Sequence, residues 1–365
     1  MKAEFEYVFP AIRGVQAGRE YYVSMCPLRL IPKIFIFDEE ELVPELRAQR
    51  RLNKSRVPTI SRYLLKHKRD YVFSALTASI DSDVLFEAAG SESKDNLLGV
   101  LHIPMSARFI INDGQHRRAA IEMALREEPD LGDETIAVVF FLDVGLERCQ
   151  QMFADLNRYA VRPSKSLEVL YEHREDMSKL AKIVAERSLA FREVVEPEKS
   201  TLSPRSHKLF TLSAIYSASE ALLQGYESVP FDEQLDIAIS YWDEVSKHIP
   251  EWQLVRQKKM TSGDVRQDFI HSHGIALHAL GNLGNTLLKD YPESWQDRLI
   301  PLGQIDWSRS NGMLWEGRAM IGGKLSKTTQ NVALTTNLIK TLLDLPLTQE
   351  EQRVEAAFLR GEHVS

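Results

Sequence analysis

Five consecutive residues, Asp113-Gly114-Gln115-His116-Arg117, concentrate more chemistry than any other short stretch of the chain. They lie where a β-branched apolar run at 108–111 gives way, through Asn112, to a helical pattern at 115–126. A helix start leaves its first backbone N–H groups unpaired and carries the positive end of the helix dipole, so a strand–glycine–helix turn suits an anion. Gly114 lets the backbone turn tightly and lets a phosphate come close. Gln115, His116 and Arg117 fall in the first helical turn. Arg117 brings a fixed charge and a forked donor, and His116 brings a hydrogen bond or, when protonated, a second charge. Asp113 is suited either to cap the helix or to orient a metal ion on a nucleotide. An ordinary capped helix with a solvated Arg117 fits the same residues, because Gly-x-x-Arg-x-x-Ala alone is a weak pattern.

Two basic groups accompany the turn. Arg158, Arg162 and Lys165 surround Asn157 and Pro163, directly after a helical pattern expected to pack beside the turn. They either extend the phosphate site or satisfy the dipole of a helix C-terminus. Between residues 47 and 69 stand Arg47, Arg50, Arg51, Lys54, Arg56, Arg62, Lys66, Lys68 and Arg69, with no Asp or Glu among them. The chain as a whole carries −7, so a local basic field is set on a strongly acidic remainder. Such a field is what a nucleic-acid backbone recognises, although a solvated helix face has the same composition.

The elements that must position these residues alternate in the first half. Strands are expected at 21–24, 33–37, 72–80, 97–103, 108–111 and 136–142, and helices at 39–52, around Pro58 to Leu64, at 115–126 and at 146–157. Beyond about Pro163 the pattern is helical, at 167–171, 209–223, 235–242, 269–288 and 332–343, with polar loops near 199–207 and 257–264. The expected fold is a mixed α/β core over 1–163, followed by a helical domain over 164–365.

Several chemistries are disfavoured. Cys26 and Cys149 are the only cysteines, without a CxxC pattern, so no disulfide framework or thiolate zinc site is expected and a reducing cytoplasm fits. Residues 1–10 have no apolar run resembling a signal peptide, and no apolar stretch approaches the roughly 20 residues of a membrane helix. His271 and His273, with Asp268 and His278 nearby, do not form a metal-binding spacing. Residues 310–318 with Gly322-Gly323-Lys324 lack the order of a P-loop.

Asp113-Gly114-Gln115-His116-Arg117 is identical to the motif of the DGQHR proteins. The flanking text resembles one branch of them, the DndB family of DNA phosphorothioation proteins. That resemblance rests on Val57-Pro-Thr-Ile-Ser-Arg-Tyr-Leu64 with residues 71–81, on Phe153-Ala-Asp-Leu-Asn-Arg-Tyr-Ala-Val-Arg-Pro-Ser-Lys-Ser166, and on residues 202–214. It implies a DNA-binding regulator of a sulfur-modification system acting on the promoter of its modification genes or on modified DNA. Other modification-system proteins are implied partners, and a homo-oligomer is compatible with the family. Gly114, Arg117 and Ala120 also resemble the phosphate turn of the ParB/sulfiredoxin fold, which implies ATP or CTP, with Mg²⁺, as the cofactor. Sulfiredoxins place their catalytic cysteine where Gln115 stands, so reductase chemistry is not expected. A nucleotide hydrolase or nucleotide-driven switch stands as the alternative, and a nuclease as a weaker one.

Overall fold

Period-two alternation builds the first hairpin. In β1 (Glu6–Gln16) Phe9 and Ala11 are buried, while Val8 and Ile12 between and beside them stay exposed. β2 (Arg19–Pro27) repeats the pattern with Tyr22, Ser24 and Cys26 inside and Met25 outside. Five more strands complete one sheet: β3 (Leu76–Asp81), β4 (Leu85–Ala88), β5 (Leu98–Pro104), β6 (Arg108–Asp113) and β7 (Thr135–Phe141), in the order β4-β5-β1-β2-β7-β3-β6. The β3–β7 pair is parallel and the other pairs are antiparallel. The computed structural model describes residues 5–35, 55–90, 95–142, 146–158 and 163–361.

Four helical segments belong with this sheet: α1 (Ile31–Ile34), α2 (Arg56–Lys66), α3 (Gln115–Glu127) and α4 (Leu146–Arg158). α3 packs against α2 and α1, and α4 packs against β6. The buried side of the sheet is filled by Phe9, Phe35, Leu76, Leu101, Val138 and Phe140 among others. Removal of this apolar surface from water is the main force holding the sheet to its helices.

Two expectations change here. Residues 33–37 were expected to be a strand, yet 31–34 form a helical turn. Pro32 fits the start of a helix, and Ile31, Ile34 and Phe35 at helical spacing all turn inward. β3 starts at Leu76 rather than at 72, and Val72 is exposed. β5 and β6, adjacent in the chain, are not neighbours in space. β5 lies between β4 and β1, whereas β6 forms the far edge beside β3. The expected helix at 39–52 lies outside the described residues.

The contacts divide the chain into Met1–Val161 and Arg162–Ser365. The second unit is helical: α5 (Lys165–Tyr171), α6 (Asp176–Arg187), α7 (Leu212–Leu222), α8 (Phe231–Lys247), α9 (Pro250–Arg256), α10 (Ser262–Asp268), α11 (Gly274–Asp290), α12 (Gly312–Trp315), α13 (Thr329–Leu342) and α14 (Gln349–Leu359). Two two-stranded sheets, 195–196 with 210–211 and 320–321 with 324–325, decorate it. α11 lies against α7 so closely that a Cβ at Gly281 would collide with the Ala218 carbonyl. An aromatic cluster of Phe191, Phe210, Tyr241, Trp242 and Trp252 fills the centre. No helix among the described residues is long and apolar enough to cross a membrane.

Candidate functional site

The DGQHR residues occupy the join between β6 and α3. Asp113 ends the strand, Gly114 is the N-cap at φ +102°, and Gln115, His116 and Arg117 open the helix. The N-cap, Gly114, has no side chain to cap α3, so the first N–H groups receive no oxygen from the N-cap residue. Asp113 does not cap the helix. Its carboxylate instead accepts from Arg117 Nη2 at 2.8 Å.

Arg117 is turned towards the protein. The same Nη2 donates to the Ala75 carbonyl at 3.0 Å, and the side chain is only 20% exposed. Its Nε is buried without a partner among the described residues. The guanidinium therefore ties the helix start to the segment leading into β3, and an incoming anion would compete with Asp113 for it. Gly114 is needed here for two reasons. Its φ is in the left-handed region, and a Cβ would collide with the buried Leu76 side chain. The close approach that it permits is therefore to the sheet core.

His116 is half-buried. Burial is the largest cause of its lowered pKa, and the charges of Arg56 and Arg117 push it further down against the opposing pull of Asp113. The imidazole is thus neutral at pH 7, within reach of two guanidinium fields. Gln115 is 8% exposed, and its Oε1 has no hydrogen-bond partner among the described residues. A buried, unsatisfied acceptor beside an uncapped helix start leaves a donor to be supplied by water or by a ligand.

Residues not singled out from the sequence hold this arrangement. Asn112, fully buried, donates to Ser79 Oγ at 2.7 Å and to Met152 Sδ at 3.0 Å, joining β6 to β3 and α4. Arg118 donates to the carbonyls of Phe35 at 2.8 Å and Pro32 at 3.2 Å, fixing α3 against α1, and pairs with Glu122. A buried Asn before the Asp-Gly step was a readable signal. Nothing in sequence spacing links position 118 to 32 and 35, or 117 to 75.

The basic groups separate. Arg47, Arg50, Arg51 and Lys54 lie outside the described residues, as does Arg162. Arg56, Arg62 and Lys66 project from α2, whose other face buries Val57, Ser61 and Leu64. Their field reaches the turn through Arg56, which acts on His116. α2 ends at Lys66, so Arg69 falls in the turn beyond His67 and off the helix that carries Arg62 and Lys66. Lys68 is paired with Glu128. Arg158 is exposed in the last turn of α4. Lys165 belongs to the second unit, where it opens α5 behind the Ser164 cap, lies 3.6 Å from Glu168 and sits over the Tyr216 ring.

His271, His273 and Cys26 are committed locally. His271 Nδ1 accepts from Trp252 Nε1 at 3.0 Å, its Nε2 lies 3.3 Å from Glu251, and His273 Nε2 bonds the Arg266 carbonyl. No group of three potential metal ligands is found among the described residues. Cys26 is buried, which pushes its thiol pKa up to about 12 and leaves it protonated. The side chain of Cys149 lies outside the described residues.

Comparison with known proteins places this geometry in a family. Searches of curated proteins and of solved structures return no match. The model of the family described as DndB, DNA-sulfur modification-associated, matches residues 9–346, nearly the whole chain. The chain belongs to the DndB family of DNA-sulfur modification-associated proteins.

Proposed function

We propose that this chain is a DNA-binding regulator of a DNA phosphorothioation system, acting on the promoter of the modification genes, with the DGQHR turn as a phosphate site for ATP or CTP. The observation that carries the reading is membership of the DndB family across residues 9–346. The uncapped start of α3, with Arg117 beside it and the Arg56 field at His116, supports phosphate as the ligand. The exposed cations of α2 support sequence-independent contacts to a nucleic-acid backbone, which position a protein without reading bases. A likeness of the core to the ParB/sulfiredoxin fold belongs to the same proposal. Nucleotide in the turn would bias the protein between DNA-bound and free states.

The second reading, a nucleotide hydrolase, draws on Asp113. Its partly exposed carboxylate flanks the helix start, and on release from Arg117 it fits an oxygen ligand of Mg²⁺ on a nucleotide. The test is a gel-shift series with the modification-gene promoter against unrelated DNA, with and without ATP or CTP, run beside a phosphate-release assay. Specific retention supports the regulator, and turnover without specific retention supports the hydrolase. In calorimetry with sulfate, Arg117→Ala should lose about 1.5–3 kcal/mol of affinity, the range for a charged hydrogen bond. Equal affinity in the two proteins would reduce the turn to a structural joint.

A further inference from the structure

The second unit contains a cavity of about 850 Å³ that plays no part in the reading above. One wall is the start of α11, a 17-residue helix whose N-cap, His273, provides no side-chain cap. Lys327 stands against that start. A Cβ built on Gly274 would lie 3.6 Å from the Lys327 Nζ, and no acid pairs with this ammonium among the described residues. Arg309, half-exposed, lines the same space and, among the described residues, reaches only carbonyls, those of Gln267 and Gly323 at 3.3 Å each. A cation placed at the positive end of a helix dipole is unfavourable unless negative charge lies between them.

Ser272 supplies an independent sign of a missing partner. It is 3% exposed, lines the cavity immediately before the helix, and its hydroxyl has no hydrogen-bond partner among the described residues. Asp264 is the one acid in the lining and is exposed. The local field is positive enough to be felt by His273. Burial first, then Arg309 and Arg266, bring its pKa down to about 4. Lys327 is itself exposed, and the partial burial of its ammonium lowers its pKa.

The opposite wall is preset. Arg266, 8% exposed, donates to the carbonyls of Ser203 at 2.7 Å, Pro204 at 3.2 Å and Ser206 at 3.2 Å, and also to that of Lys208. The loop is therefore ordered before a ligand arrives, which lowers the entropic cost of binding. Between the walls, Thr201, Ser213 and Ser217 offer hydroxyls, and Leu209, Ile275 and Leu325 offer apolar surface.

We infer that this cavity binds a nucleoside monophosphate unit, with its phosphate held by the Gly274 helix start, Ser272, Lys327 and Arg309. The volume lies within the range of small-molecule sites and exceeds what an inorganic ion needs. The unit reaches the cavity either as a free nucleotide or as the phosphorylated terminus of a nucleic-acid strand.

The test is calorimetry on the full chain with AMP, with inorganic phosphate, and with a short single-stranded oligonucleotide carrying either a 5′-phosphate or a 5′-hydroxyl. Acylation of Lys327, read by mass spectrometry, follows occupancy of the cavity independently of heat. Lys327→Gln should weaken binding at least tenfold and Ser272→Ala severalfold, both with unchanged circular dichroism, while Arg117→Ala leaves this binding intact. Bound ligand should protect Lys327 from acylation. Binding of AMP identifies a free nucleotide as the source, and binding of the 5′-phosphorylated strand alone identifies a strand terminus. If no probe binds, or if Lys327→Gln binds every probe as the wild type does, the inference is overturned. Loss of all binding in Arg117→Ala with full binding in Lys327→Gln also overturns it while leaving the reading of the DGQHR turn in place. The reverse pattern retains the cavity and removes the turn.

Discussion

Two of the helix starts that lack a side-chain cap, one from each unit, differ in how a nearby cation is held. At Gly114 the charge is Arg117, four residues from Asp113, and the pair is closed at 2.8 Å. At Gly274 the charge is Lys327, brought from far along the chain, and no acid meets it among the described residues. The first start has its own internal anion and holds itself together without a ligand. The second leaves positive charge uncompensated. A contiguous motif can therefore be structurally satisfied, while a site assembled from separated segments carries the unmet demand.

Damage to the joint itself should have the largest effect. Gly114→Val places a β-branched side chain in a left-handed conformation and against buried Leu76, which should cost roughly 3 kcal/mol or more in denaturant unfolding of the sheet unit. Lys327→Gln, with no ion-pair partner to lose among the described residues, should leave unfolding unchanged. A well-folded Gly114→Val protein would show that the turn is looser than its geometry.

Charge on α2 distinguishes the units by salt. Replacing Arg56, Arg62 and Lys66 together with Gln should flatten the log affinity against log salt slope for duplex DNA by up to about 2.7, near 0.9 per phosphate contact. Lys327→Gln should not change that slope. Retention of the wild-type slope by the triple variant would leave α2 as a solvated face.

Asp113→Asn should sharpen the comparison by making the first site resemble the second. Freed from its internal competitor, Arg117 should bind sulfate about fivefold more tightly, in keeping with roughly 1 kcal/mol for a partly exposed pair. Weaker sulfate binding in this variant would mean that Asp113 orients the fork rather than occupies it.

The smallest effect concerns protons. The His116 pKa is lowered in the free protein, and a bound anion favours the imidazolium. Sulfate affinity should therefore be greater at low pH and decline as pH rises through the His116 pKa of the bound state. His116→Gln should remove this dependence. A pH-independent wild type between pH 5 and 8 would place the imidazole away from the anion.

Local chemistry and spacing determined a good deal by themselves. The Asp113-Gly114 step at a strand–helix junction, the buried apolar stripe of α3 and the helical character of the second half were all readable, because helix and strand periods act within a few residues. Alternation was hardest to read where its outward positions are also apolar, as at Val8 and Ile12 in β1, which passed unrecognised as a strand. Only the tertiary structure decided that β6 is an edge strand, that Arg117 reaches back to Ala75, and that Lys327 meets Gly274. Hydrogen bonds and electrostatic contacts act across a few ångströms, and folding brings residues that close with little regard to their separation along the chain.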